Sequence, residues 1–201
     1  MAIVKSEIIS FWNQSRKGGL SDTSEVLDEA IQVCLDDLSN SNFLKASDTD
    51  QTLDNTSLTL DYPTLYKSLM DGGIILNDGS VDLQPLTKIS WRDYKNMMRS
   101  FNSGMRSIPS VYAVNDEKFY LYNPPGQDYT TEIWYWKYHA KDVDAIEFSD
   151  EFRNAIKYGT VFFKSMLQGN MKYAQIWGPM FANEKKMRRL TQNTQPGIVK
   201  G

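Results

Sequence analysis

Leu27, Ala30, Ile31, Cys34, Leu35 and Leu38 recur at steps of three and four, so residues 22–38 predict a helix with one continuous apolar stripe. Asp22 and Glu25 fall in its first turn, where the helix dipole favours anions, and Ser39-Asn40-Ser41-Asn42 ends it. Val4, Ile8, Phe11 and Trp12 repeat the spacing over 3–17, with Gly18-Gly19 as the stop. Phe152, Ala155, Ile156, Gly159, Phe163 and Met166 make a further stripe over 150–168, behind Ser149 as N-cap. Over 90–102, Trp91, Tyr94, Met98 and Phe101 share a face, and Ser90 with Asp93 supplies the start. A last helix, 171–190, opens with Tyr173, Ala174 and Trp177. Gly178-Pro179 is expected to interrupt it before Met180, Met187 and Leu190.

Between these helices the period falls to two. Leu58, Leu60 and Tyr62 alternate over 57–62 and stop at Pro63. Tyr66, Leu69 and Met70 predict a brief helical turn. Ile74-Ile75-Leu76, the Asn77-Asp78-Gly79 turn, Val81 and Leu83 predict a hairpin over 74–83. A β unit over 110–138 follows, with strands at Val111–Val114, Phe119–Tyr122 and Thr130–Tyr138. The third puts Ile133 and Tyr135 on one face and Trp134, Trp136 and Tyr138 on the other, so neither face should stand fully in water. The polar stretch Lys45–Asn55 predicts a loop, and 191–201 a tail with little to bury beyond Ile198 and Val199. The pattern predicts an α+β chain, mainly α: a helical bundle with a small antiparallel β insertion and an extended C-terminal tail. At 201 residues, one domain over 1–190 can bury a real core.

Composition narrows the function more than the fold. A net charge of -3 gives no basic footprint for general nucleic-acid binding. The charge is uneven, however. Ser21–Tyr62 holds ten Asp or Glu against Lys45, while Lys185, Lys186, Arg188, Arg189 and Lys200 crowd the end against Glu184 alone. Such polarity suits chains that meet in a fixed orientation, and it also suits two solvated helix faces. Cys34, the one cysteine, lies in a helix stripe and reads as core, which excludes an internal disulfide or a multi-cysteine zinc site. His139, the one histidine, has no nucleophile motif or second ligand beside it and reads as a surface residue at a strand end. Acidic pairs such as Asp36-Asp37 read as a solvated face, and Gly18-Gly19 and Gly72-Gly73 lack the spacing of a phosphate loop. No catalytic residue, cofactor or metal is expected.

No apolar run is long enough to span a bilayer, and Glu7 breaks the N-terminal apolar pattern, so neither a membrane partner nor a signal peptide is expected and synthesis falls in the cytoplasm. The aromatic strand around Trp134 and Trp136 has two readings: a stacking platform for carbohydrate or single-stranded nucleic acid, or a face covered by protein. With only Lys137 beside it, cover by protein is favoured.

The order of elements resembles a known family. Two helical segments, the first ending near Arg16, precede Leu60-Asp61-Tyr62-Pro63. Leu83-Gln84-Pro85-Leu86 then leads into the helix at Ser90. Ile108-Pro109-Ser110-Val111-Tyr112-Ala113-Val114, Phe119-Tyr120-Leu121-Tyr122-Asn123-Pro124-Pro125 and Trp134-Tyr135-Trp136-Lys137-Tyr138 follow. The last strings are Phe148-Ser149-Asp150-Glu151-Phe152 and Ala155-Ile156-Lys157-Tyr158-Gly159. Over roughly residues 20 to 190 this is similar to the head-to-tail adaptor, or connector, proteins of tailed DNA phages.

The resemblance implies a structural, non-enzymatic virion protein of the neck. It implies a ring commonly of about twelve copies, a dodecamer. That ring would dock on the portal protein, extend the channel through which genomic DNA passes without specific binding, and present a face to tail or neck proteins. The basic run Lys185, Lys186, Arg188 and Arg189, with Ile198 and Val199 in the tail, is similar in placement to the family's portal-docking segment. Trp134, Trp136 and Tyr138 are the candidates for contact between subunits. The Lys45–Asn55 stretch and the aromatic third strand depart from the family pattern.

Overall fold

The structure, a computed structural model, describes residues 3–15, 24–55, 57–79, 84–101 and 106–194. In chain order its elements are α1 (Lys5–Ser15), α2 (Ser24–Asn40), β1 (Lys45–Asp48), β2 (Thr52–Leu53), β3 (Thr59–Asp61), β4 (Tyr66–Asn77), β5 (Thr87–Lys88), α3 (Trp91–Arg99), β6 (Val111–Asn115), β7 (Lys118–Tyr122), β8 (Tyr129–Lys137), a 3-10 turn (Asp150–Phe152), α4 (Arg153–Leu167) and α5 (Met171–Thr194). They form two compact units, Met1–Leu44 with Tyr138–Gly201 and the intervening Lys45–Lys137.

The first unit is helical and built around α4, which packs against α1, α2 and α5. Its core gathers Ile8 and Trp12 of α1, the α2 stripe from Leu27 to Leu38, Ala155 and Ile156 of α4, and Phe181 of α5. Three neighbours widen the buried surface of α4 beyond a single stripe. Thr160, Val161, Lys164 and Ser165 are buried, whereas Met166, placed in the stripe by its spacing, is exposed. Helix α5 runs unbroken through Pro179, against the expected interruption. Ala174 before the proline and Phe181 after it are both buried, and this packing holds the two halves on one course despite the lost backbone hydrogen bond.

The second unit holds two four-stranded sheets around a shared core of Leu53, Leu60, Ile74, Leu76, Tyr112, Phe119, Leu121, Ile133 and Tyr135. In the first sheet β8 is central, with β4 antiparallel on one side and the short β1 and β2 on the other. Pairing slips from Leu69↔Tyr135 to Ile74↔Ile133, so residues 70–73 bulge out opposite Trp134. Gly72 takes φ +71 there, and a Cβ on Gly73 would lie 2.7 Å from the Met70 carbonyl oxygen. The second sheet runs β3-β7-β6-β5, its β6–β7 hairpin turned by Asp116 and Glu117 at positive φ. Helix α3 packs on it, capped by Ser90, whose side chain accepts from the Asp93 N–H.

The expected helical bundle with a small β insertion is therefore wrong. Among the described residues five α-helices stand beside eight strands in two sheets, an α+β fold. Two misread segments explain the error. Lys45–Asn55, read as a loop, supplies β1 and β2, and Tyr66–Met70, read as a helical turn, is the first half of β4. All three strands are fixed by pairing with β8, some 60 to 90 positions along the chain. Local pattern carries no trace of such a partner. Of the hairpin expected over 74–83, Ile74–Asn77 ends β4 and the Gly79 N–H, at φ +92, donates to Asn77 Oδ1, while Val81 and Leu83 lie outside the described residues.

Candidate functional site

The basic run sits on the last turns of α5. The helix is held close to α4 because Gly178 leaves room for Phe162, whose ring lies 3.1 Å from where a Cβ would stand. Trp177 meets Phe11 edge-on at 5.6 Å and Tyr158 at the same distance. The four cations divide into two pairs. Lys185 reaches inward, its Nζ 2.6 Å from Asp37 Oδ2 and 5.4 Å from the Phe181 ring centre, and Arg188 bonds Glu184 one turn back at 3.3 Å. Asp37 is thus engaged, not merely solvated. Lys186 and Arg189 are exposed and meet no carboxylate among the described residues. With Phe162, Gly178, Phe181, Ala182 and Lys185 they line an open groove of about 430 Å³. Met180, Met187 and Leu190 are exposed on the same helix. Ile198 and Val199 lie outside the described residues.

The aromatic strand is asymmetric. Thr131, Ile133 and Tyr135 of β8 face the core, and on the opposite face Trp134 is 39% exposed. Trp136 is half-buried, with Lys45 Nζ 5.4 Å from its ring centre. Tyr138, just past the strand, is 43% exposed. The outer face is thus partly covered, with Trp136 more enclosed than Trp134.

His139 differs from its reading as a surface residue. It is 2% exposed, its ring is stacked on Phe148 at 5.8 Å, and its Nε2 accepts from the Glu147 N–H at 3.4 Å. The histidine organises the approach to α4, and none of its named neighbours is a nucleophile. Lys164 escaped the sequence reading altogether. It is fully buried, with Nζ 4.3 Å from the Trp12 ring centre, a cation set against an aromatic face. A lysine within an apolar helix stripe was the only signal for it. Cys34 is buried against the Ala155 and Ile156 carbonyls, and burial pushes its thiol well above the ordinary range, so it is no nucleophile. Among the described residues no group of His, Cys, Asp or Glu could hold a metal ion, and no helix is long and apolar enough to cross a membrane.

A search of the curated proteins finds no match. A family model described as SU10 adaptor protein matches residues 9–199. That span takes in both units and the whole of the basic helix end, and with it the chain belongs to the SU10 adaptor protein family, a family of structural phage adaptors.

Proposed function

We propose that this adaptor assembles as a ring between the portal and the tail, extending the DNA channel and giving tail or neck proteins their attachment face. In this reading the end of α5 and the residues beyond it dock on the portal. The observation that carries it is the division of the basic run: Lys185 and Arg188 each hold a carboxylate of the chain, while Lys186 and Arg189 are exposed beside an apolar groove. Cations that meet no carboxylate among the described residues give orientation and encounter rate, and the exposed Met187 and Leu190 offer the apolar anchors that most of an interface's affinity requires. Copies in a ring multiply a weak contact into a lasting attachment. Trp134, Trp136 and Tyr138 serve as contact between subunits, where large rigid rings bury area at little entropy cost.

The genome passes such a ring without stable binding. Basic clusters hold phosphates, so the four cations face protein and not the channel. The experiment is deletion of residues 191–201. The truncated protein should remain folded and no longer join portal-bearing heads. Docking equal to that of the full chain would move the role to another surface.

A further inference from the structure

Helix α3 carries an unassigned charged face. Arg92, Lys95 and Arg99 stand at steps of three and four on it, all exposed, and none meets a carboxylate among the described residues. The one acid of the helix, Asp93, is occupied at the cap, where its Oδ2 accepts from the Ser90 hydroxyl at 2.6 Å. Helix α2 shows the converse. Asp28 is bound by Lys5 at 2.9 Å and Asp37 by Lys185, which leaves Glu29 and Asp36 as its described acids without a cation. Val33, 37% exposed, lies between them on the same face.

The two faces match in pitch as well as in sign. Glu29 and Asp36 are seven residues apart, as are Arg92 and Arg99, so each pair spans about 10.5 Å along its helix. Laid side by side, the acids of one helix meet the arginines of the other, and the alkyl stem of Lys95 covers Val33. A closed ring joins each copy to the next through two different surfaces, and complementary faces on different helices are what such a heterologous contact needs. The alternative ligand for a basic helix, DNA phosphate, suits it less, since a ring through which DNA slides must not hold phosphates.

We infer that the Arg92–Lys95–Arg99 face of α3 docks on the Glu29–Val33–Asp36 face of α2 in a neighbouring copy of this chain. The inference rests on the ring reading above and adds a second contact between subunits to that of Trp134, Trp136 and Tyr138. Each pair alone is weak, since Glu29 and the three cations are exposed and Asp36 is half-buried with its Oδ1 accepting from Gln32 Nε2 at 2.8 Å, so the contact acts through repetition around the ring. It weakens with salt as the screening length falls from about 10 Å at 0.1 M to about 3 Å at 1 M.

Charge exchange tests it on the full chain mixed with the portal protein, with assembly read as particle mass. Arg92→Glu with Arg99→Glu should lose the ring about tenfold or more at unchanged melting temperature, as should Glu29→Lys with Asp36→Lys. The four substitutions together should regain it. The milder Arg92→Gln with Arg99→Gln, and a salt titration of the unaltered protein, give the same reading should a reversed variant fold poorly. Rings that survive both reversals overturn this contact and leave the ring reading standing. Loss in the arginine variant without rescue in the fourfold one overturns it in favour of another acidic partner. Loss of duplex DNA binding with the ring intact overturns it in favour of nucleic acid. An unaltered chain that forms no ring under any condition removes the ring reading and this inference together.

Discussion

A Cβ on Gly159 would lie 2.4 Å from Cys34 Sγ, so α2 and α4 cross where neither residue has room to grow. Phe181 of α5 closes the same point, 2.8 Å from that Cβ position. Gly159→Ala should cost about 1–3 kcal/mol through overpacking. Adding Cys34→Ala should recover part of the loss, which a double-mutant cycle of unfolding free energies measures. Equal costs with and without the sulfur would show that Phe181 alone sets the limit.

The buried thiol should be inert in the folded protein. Alkylating reagents should modify Cys34 only once the chain unfolds, as labelling followed by mass across a denaturant series would show. Cys34→Ser should cost about 1–2 kcal/mol by burying a hydroxyl and leave virion assembly intact.

Lys186 and Arg189 should separate docking from folding. Reversing both to Glu should leave the melting temperature within a degree or two, as exposed substitutions usually do, and reduce attachment to portal-bearing heads. Lys185→Ala should instead lower stability by about 0.5–1 kcal/mol through the Asp37 pair. Melting curves and head-binding assays on the two variants should therefore move in opposite columns.

Alkali should loosen the β unit first. Burial raises the Tyr66 hydroxyl to about 12, and burial also raises Tyr62 and Tyr112 beside it. The unfolded chain gives up these protons near the ordinary value of about 10, while the folded one holds them. Stability is thus intact below that value and falls as pH rises from about 10 towards 12. Tyr66→Phe should flatten that fall in thermal melts, and an unchanged pH slope would count against it.

His139→Ala should act through stability alone. The ring stacks on Phe148 and accepts the Glu147 N–H, so its loss should cost about 1–3 kcal/mol. Phages grown at a temperature where the variant folds should show normal necks and full infectivity. Infectivity lost from particles with normal necks would reveal chemistry at this site.

Legibility followed the range of the interaction. The α2 stripe, the Ser90 cap and the core place of Cys34 could be read because each depends on neighbours a few residues away. Family membership could be read for a related reason, since it lies in the order of short strings along the chain. The strands β1, β2 and the first half of β4 could not, because β8 makes them strands from far along the sequence. His139 was misread and Lys164 passed over for a different reason. Polar side chains are ordinarily outside, and only the packed structure shows the Phe148 and Trp12 faces that take them in. At the end of α5 the sequence shows four cations alike, and only the structure separates Lys185 and Arg188 from Lys186 and Arg189.

The central claim is a ring at the junction of head and tail, and particle imaging of the virion neck tests it most directly. The account predicts a closed ring of this chain directly beneath the portal, with the α5 ends turned towards the portal and the four cations away from the DNA. A neck without this chain, or one in which Lys186 and Arg189 line the channel, would contradict it.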